Sequence, residues 1–220
     1  EHVAALGLEW METDLRLTAD GIVVLSHDED LRRTANDPRA VGEVMWAELA
    51  DLDSGDGRGF VRLDDALYAH PTMKFNIDLK DSNVVQAALQ TVRDANALER
   101  VRFASFSARR LAVLRRQEPR AMTSLGVSDV LGLMLRSEAA VPLPQTRWGW
   151  TRGRVDAVQV PESYHGVPVV TRRFVASAHT ADLEVHVWTV DEPERMRQLA
   201  DLNVDAIMTD VPTLALQTLG

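Results

Sequence analysis

Residues 10–28 read Trp-Met-Glu-Thr-Asp-Leu-Arg-Leu-Thr-Ala-Asp-Gly-Ile-Val-Val-Leu-Ser-His-Asp. The first half is typical of a β-strand and places two carboxylates, Glu12 and Asp14, two residues apart. A turn at Asp20-Gly21 and an apolar run at 22–25 follow, and they lead into His27. Acids inside an apolar strand are costly to bury unless a cation or hydrogen-bond donors satisfy them. Two carboxylates and a histidine joined by one hairpin therefore indicate a site rather than a core.

Short apolar runs alternate with amphipathic segments along the whole chain. The alternation predicts strands at Leu8–Leu15, Lys74–Leu79, Val101–Ser105, Met122–Gly126, Val155–Val160, Glu184–Val190 and Asp205–Thr209. Apolar residues three and four apart predict helices at Asp64–Ala69, Asn83–Ala97, Ala108–Gln117, Ser128–Glu138, Arg172–His179 and Glu192–Leu202, with a last helix starting at Pro212. Ser107 and Asp191 are predicted N-caps.

This rhythm predicts an α/β fold with a parallel sheet, and a doubly wound sheet and a (β/α)8 barrel both fit it. A barrel of this kind has eight strands and about 250 residues, whereas seven strands are visible in these 220 residues. Residues His2–Leu6 look like the tail of a helix. We therefore expect a TIM-type barrel forming one domain over residues 1–220, with the first βα unit ahead of Glu1.

Composition limits the function classes. The formal net charge of −9 argues against a nucleic-acid surface. The sequence has no cysteine, which excludes disulfides, thiolate metal sites and a cysteine nucleophile. No apolar run reaches the roughly 18 residues that a membrane span needs, so we expect no stable membrane insertion. We expect a cytoplasmic rather than a secreted protein, with a signal peptide left open.

Two segments carry no regular pattern. Residues 29–60 are irregular and long for a βα loop, and long loops in such barrels usually cap the active face. The second segment, 141–153, holds Trp148 and Trp150, which fit an apolar pocket lip and core packing equally well.

A third acid, Asp78, lies in the predicted strand Lys74–Leu79, where it shares a face with Asn76 and Lys80. Glu12 and Asp14 also share one strand face, so these carboxylates can converge on one ion. Carboxylates without cysteine or a histidine pair favour Mg²⁺ or Ca²⁺ over zinc.

Each motif alone also has an ordinary explanation. A Glu-x-Asp pair is common as solvated polar alternation on edge strands, and Asp-Leu-Lys fits a surface salt bridge of little energetic value. A His-Asp pair after a strand is often only a loop end. The order of the motifs and their shared location at strand ends favour a site.

These motifs together resemble the glycerophosphodiester phosphodiesterase family, over essentially the whole chain. The resemblance rests on Trp10–Thr18, Asp20-Gly21, Ser26-His27-Asp28, Leu31, Arg33-Thr34, Asn76–Lys80, Ser105-Phe106, Val187–Val190 and Val204–Pro212.

The resemblance implies a TIM-type barrel that hydrolyses glycerophosphodiesters to glycerol 3-phosphate and an alcohol. It implies that Glu12, Asp14 and Asp78 hold one divalent cation, Mg²⁺ or Ca²⁺. It further implies that His27 is one of two catalytic histidines, that Lys80 contacts the phosphate, and that two aromatic residues line the glycerol end of the pocket. Those aromatic residues are Phe106 and Trp188.

The sequence departs from the family pattern in two places. The His-Arg-Gly and Glu-Asn-Thr segments of the family are absent from these 220 residues, so we expect the other catalytic histidine upstream of Glu1. Asp78 stands where glutamate is usual, and it is one methylene shorter.

Asp28 is expected to point away from His27 because neighbours on a strand face opposite sides. His186 shares a strand face with Trp188 but lies in no motif.

Two alternatives stay open. One is a phospholipase D-like or phosphatidylinositol-specific phospholipase C-like barrel that acts on intact lipid, for which Trp148-Gly149-Trp150 is the candidate membrane-facing lip. The other is a non-catalytic barrel that binds a phosphorylated ligand.

Overall fold

The computed structural model describes residues 2–55, 57–138 and 154–220. It divides into two compact units, Val3–Ser105 and Phe106–Gly220, with His2 grouped with the second. Among the described residues, no helix is long and apolar enough to cross a membrane.

The first unit alternates helices with four paired strands. Its elements are α1 (His2–Ala5), β1 (Trp10–Leu17), β2 (Val23–Leu25), α2 (Arg32–Ala35), a 3-10 turn (Val41–Glu43), α3 (Trp46–Leu49), α4 (Leu63–Ala69), β3 (Lys74–Leu79), α5 (Val84–Asp94), a second 3-10 turn (Leu98–Arg100) and β4 (Val101–Ala104). The strand order is β2-β1-β3-β4. Strand β2 runs antiparallel to β1, and the other two pairs are parallel. The predicted strand Lys74–Leu79 is confirmed at both ends.

The β1–β2 hairpin turns at the predicted Asp20-Gly21. Gly21 has φ +82°, a region that residues with a Cβ rarely adopt. The Thr18 hydroxyl donates to Asp20 Oδ1 at 2.6 Å, and the Ile22 N–H donates back to Thr18 Oγ1 at 2.9 Å. These contacts fix the turn that leads into β2.

Residues 29–60 are more ordered than their sequence pattern indicates. They contain α2, α3 and one 3-10 turn, so the prediction of an irregular loop is wrong over these stretches. Their apolar side chains form a small core with Val24 of β2, which comprises Leu31, Val41, Val44 and Leu49. Because these residues recur without a fixed period, the sequence gives no helix or strand signal here.

The second unit repeats the strand–helix alternation. Its elements are α6 (Ala108–Gln117), β5 (Met122–Ser124), α7 (Val127–Glu138), β6 (Val155–Pro161), β7 (Ser163–Tyr164), β8 (Val167–Pro168), α8 (Arg172–Thr180), β9 (Glu184–Trp188), α9 (Pro193–Asp201), β10 (Ala206–Ile207) and α10 (Pro212–Leu219). Parallel strands follow the order β5-β6-β9-β10, and β7 and β8 form a separate hairpin. Trp148 and Trp150, which the sequence pattern assigned to a pocket lip or to core packing, lie outside the described residues.

Helix caps show where local rules hold and where they fail. Ser107 caps α6 as predicted, because its side chain accepts the Arg110 N–H. The predicted Asp191 cap of α9 is wrong: the N-cap is Glu192. Asp191 Oδ1 instead accepts the Thr209 hydroxyl at 2.8 Å and the Asp210 N–H at 2.9 Å. Because Asp191 binds residues that are distant in sequence, its side chain does not cap α9.

Candidate active site

The pairing of β1 with β3 sets two of the predicted carboxylates side by side. Asp14 lies directly opposite Asp78, and Glu12 lies opposite Asn76 one strand repeat earlier. Asp14 and Asp78 are largely buried, with 16% and 11% of their side chains exposed. Glu12 is exposed. Two adjacent buried acids repel each other, so they need a positive partner.

Lys80 supplies a positive partner for this pair. Its Nζ lies 2.7 Å from Asp14 Oδ1 and 3.0 Å from Asp78 Oδ2. Burial by itself would lower the pKa of Lys80, but the hydrogen bond to Asp14 and the charge of Asp78 outweigh it, so the pKa is raised. Lys80 therefore stays an ammonium throughout the neutral range.

The chemistry of these carboxylates is consistent with the predicted cation site. Carboxylate oxygens are the ligands that Mg²⁺ and Ca²⁺ prefer, and the ammonium between Asp14 and Asp78 shows that this place attracts positive charge. Among the described residues, however, no three Asp, Glu or His side chains converge closely enough to hold a metal ion. The three-carboxylate ligand set stays a prediction.

His27 follows the end of β2 in a short bend beside Asp14. The Ser26 N–H donates to the Asp14 carbonyl at 2.9 Å. Arg16 of β1 donates to the His27 carbonyl through Nε at 3.3 Å and Nη2 at 3.2 Å. The backbone around His27 is thus held on both sides, while 66% of its side chain stays exposed.

Asp28 contacts His27, so the prediction that it points away is wrong. His27 Nδ1 and Asp28 Oδ1 lie 2.8 Å apart. The second oxygen, Oδ2, accepts from Arg33 Nε at 2.6 Å. Hydrogen bonds from Arg33 and then from His27 lower the pKa of Asp28. Strand alternation does not apply here because β2 ends at Leu25.

The two predicted aromatic residues of the pocket meet in the second unit. The rings of Phe106 and Trp188 lie 5.5 Å apart at 73°, an edge-to-face arrangement. Phe106 is 56% exposed, so its ring offers an apolar face to a ligand. Trp188 ends β9 and is half-buried.

His186 lies two residues before Trp188 and is buried rather than exposed. Its Nε2 lies 3.0 Å from Glu184 Oε2, and its Nδ1 lies 3.3 Å from Gln159 Nε2. Because a carboxylate only accepts hydrogen bonds, Nε2 carries the proton in this arrangement. Both ring nitrogens are satisfied by protein groups, as in a structural histidine.

Sequence reasoning missed two arginines of the site. Arg16 and Arg33 both lie within the quoted motifs, but their roles depend on contacts across the hairpin and along the loop. The sequence signal for the Arg33–Asp28 contact was their separation of five residues, which a long arginine side chain can span.

Comparison with known proteins identifies the family of the chain. The sequence profile of the Glycerophosphoryl diester phosphodiesterase family matches residues 1–214. A Mycobacterium tuberculosis protein named probable glycerophosphodiester phosphodiesterase 2 is 37% identical over 212 residues, which cover 96% of this chain and 79% of that protein.

Solved structures show the same fold. A glycerophosphodiester phosphodiesterase from Agrobacterium tumefaciens superposes with a TM-score of 0.77 at 23% identity, over 99% of this chain and 89% of that one. An Oleispira antarctica phosphodiesterase in complex with the product sn-glycerol-3-phosphate superposes with a TM-score of 0.78 at 19% identity, over 99% and 88% of the two chains. The predicted TIM-type fold class is confirmed. The chain belongs to the glycerophosphoryl diester phosphodiesterase family and is a phosphoric diester hydrolase.

Proposed function

We propose that this enzyme hydrolyses glycerophosphodiesters to glycerol 3-phosphate and an alcohol, using one divalent cation and His27. The observation that carries the proposal is the in-register pair Asp14 and Asp78, joined by Lys80. Charged groups buried at such a site are costly for stability, which is typical of catalytic sites. The Oleispira relative bound to sn-glycerol-3-phosphate supports the choice of substrate.

The reaction adds water to phosphorus and breaks the bond from phosphorus to the alcohol oxygen. The leaving alkoxide takes up a proton, and the attacking water loses one. A divalent cation bound by Glu12, Asp14 and Asp78 would neutralise phosphoryl oxygens and stabilise the charge that develops in the transition state. The carboxylate donor set supports Mg²⁺ or Ca²⁺ in this role.

Lys80 is proposed to contact the phosphate. An ammonium has three N–H donors, so one can reach a phosphate oxygen while the others hold Asp14 and Asp78. The raised pKa of Lys80 keeps this positive charge in place across the neutral range. A charge-assisted hydrogen bond of this kind contributes about 1.5–3 kcal/mol.

His27 is proposed as the acid–base group. Its Nδ1 is engaged by Asp28, so Nε2 is the atom that would exchange a proton with the substrate. The exposure of its ring leaves Nε2 open to a bound ligand. Acid–base catalysis by a positioned side chain contributes about 10²- to 10⁴-fold.

Phe106 and Trp188 are proposed to contact the glycerol end of the substrate. Their edge-to-face contact holds the Phe106 ring, although its surface is mostly exposed. A rigid ring excludes water from the carbon chain of glycerol without competing for its hydroxyl groups.

The test uses glycerophosphocholine with ³¹P NMR to identify the product. We expect glycerol 3-phosphate rather than phosphocholine, loss of activity in EDTA, and recovery when Mg²⁺ or Ca²⁺ is added. Full activity after thorough chelation would remove the cation from the proposal. Release of phosphocholine would assign cleavage to the other ester bond. Lysophosphatidylcholine in the same assay tests the alternative of an enzyme that acts on acylated lipid.

A further inference from the structure

We propose that Asp28 is a positioning residue that fixes the ring orientation and tautomer of His27, and that Arg33 holds Asp28 in place. The inference rests on the proposed function, because His27 receives its acid–base role there. It adds two residues to the machinery, one in contact with His27 and one behind it.

The geometry uses both oxygens of one carboxylate. Asp28 Oδ1 lies 2.8 Å from His27 Nδ1, and Oδ2 lies 2.6 Å from Arg33 Nε. The backbone that carries His27 and Asp28 is also fixed, because the Ser26 hydroxyl donates to the Asp28 carbonyl at 3.3 Å and Arg16 donates to the His27 carbonyl. Only 24% of the Asp28 side chain is exposed.

The consequence for His27 is a defined tautomer. A carboxylate can only accept a hydrogen bond, so the proton of a neutral His27 ring sits on Nδ1 and the lone pair on Nε2. The His27 ring is mostly exposed, and without this contact it would rotate freely and sample both tautomers. Asp28 can do this at neutral pH because its lowered pKa keeps it ionised.

The neighbouring acid Asp30 is engaged elsewhere. Asp30 Oδ1 accepts the Arg32 N–H at 3.1 Å, and its Oδ2 lies 3.4 Å from Arg32 Nε. Asp30 therefore has the same kind of carboxylate–arginine contact without a histidine. This makes Asp30→Asn a matched control for the loss of one loop carboxylate.

The experiment compares kcat and KM for Asp28→Ala, Asp28→Asn, Asp30→Asn, His27→Ala and the double variant His27→Ala/Asp28→Ala. Carboxylates that orient a metal-ligating histidine contribute about 10- to 100-fold to activity. We expect the same factor for a catalytic histidine, so Asp28→Ala should lower kcat by about 10- to 100-fold with KM within about twofold. Asp28→Asn should lose at least as much, because its one amide oxygen faces the Arg33 donor and its NH2 group faces Nδ1, which reverses the tautomer of His27. Asp30→Asn should retain wild-type kcat.

Two further readouts separate positioning from a structural role. In the double variant, the Asp28→Ala loss should disappear, because a residue that acts through His27 has no effect once His27 is gone. In ¹⁵N-edited NMR, the His27 ring should be protonated at Nδ1 in the wild type and become a tautomer mixture in Asp28→Ala.

The outcomes are distinguishable. A His27→Ala loss below tenfold overturns the proposed role of His27 itself. A large His27→Ala loss with wild-type kcat in Asp28→Ala overturns only the positioning role, as does an Asp28→Ala loss that persists in the double variant or an unchanged tautomer. If Asp28→Ala does not fold, a kcat within twofold of wild type in Asp28→Asn overturns the inference.

Discussion

Replacing Lys80 with methionine should destabilise the enzyme in a way that reports on the acid pair. Asp14 and Asp78 both contact the same Nζ, so their nearest oxygens are less than about 6 Å apart. Two unit charges at that distance repel by about 3 kcal/mol at an effective dielectric constant of about 20. Because a small part of each side chain reaches solvent, we expect a net loss of about 1–3 kcal/mol in the free energy of unfolding.

The assay is urea unfolding at neutral pH in EDTA, with a matched variant as control. The chain has only one other lysine, Lys74. It pairs with Glu9 at 2.8 Å, but the two side chains are 43% and 73% exposed. Exposed pairs contribute about 0–1 kcal/mol, so Lys74→Met should remain close to wild type.

The effect of Lys80→Met should also depend on pH in a defined direction. The pKa of Lys80 is raised in the folded state. The stability that its positive charge contributes is therefore complete below its ordinary pKa of about 10.4, and it is lost as the pH rises through the higher pKa of the folded state. Equal stability of Lys80→Met and Lys74→Met at neutral pH would refute the reasoning.

Three other changes test separate features. Phe106→Ala should raise KM for glycerophosphocholine by about 2- to 10-fold, because the ring would remove a small apolar area of the substrate from water. Thermal stability should change little because the ring is mostly exposed, and an unchanged KM removes Phe106 from the pocket. Ser107→Ala should cost about 1 kcal/mol of stability through the lost α6 cap, with Thr171→Ala, which removes the equivalent cap of α8, as a comparison. Calorimetry in EDTA should detect no glycerophosphocholine binding until Mg²⁺ or Ca²⁺ is added, and binding without either ion would contradict a role of the cation in holding the substrate.

The pattern of alternating side chains predicted much of the sheet. In Lys74–Leu79 the sequence separates Phe75 and Ile77 from Asn76 and Asp78, and the structure buries both faces. Periodicity alone therefore identified the strand and the polar face that carries the candidate site. The dipeptide Asp20-Gly21 located the hairpin, because glycine tolerates the positive φ that Gly21 adopts in the turn.

Register and loop contacts were beyond the reach of the sequence. Asp78 and Lys80 are two residues apart, so their shared face was predictable, but the contact between Lys80 and Asp14 depends on how β1 is aligned with β3. The Asp28–His27 contact depends on the strand ending at Leu25, a boundary that alternation does not mark. The first contact was decided by the register of two strands and the second by the local backbone after a strand end, and residue type alone predicts neither.

Charge balance around Lys80 connects the structure to the proposed chemistry. Glu12, Asp14 and Asp78 carry three negative charges when ionised, and Lys80 returns one. A phosphodiester anion would meet net repulsion from this group of side chains, since like charges at close range disfavour binding by several kcal/mol. A divalent cation brings the same set to neutrality. In the proposed mechanism, the residues that would attract the cation are thus the reason why the substrate would need it, and the overall charge of −9 would be no obstacle once the local charge is balanced.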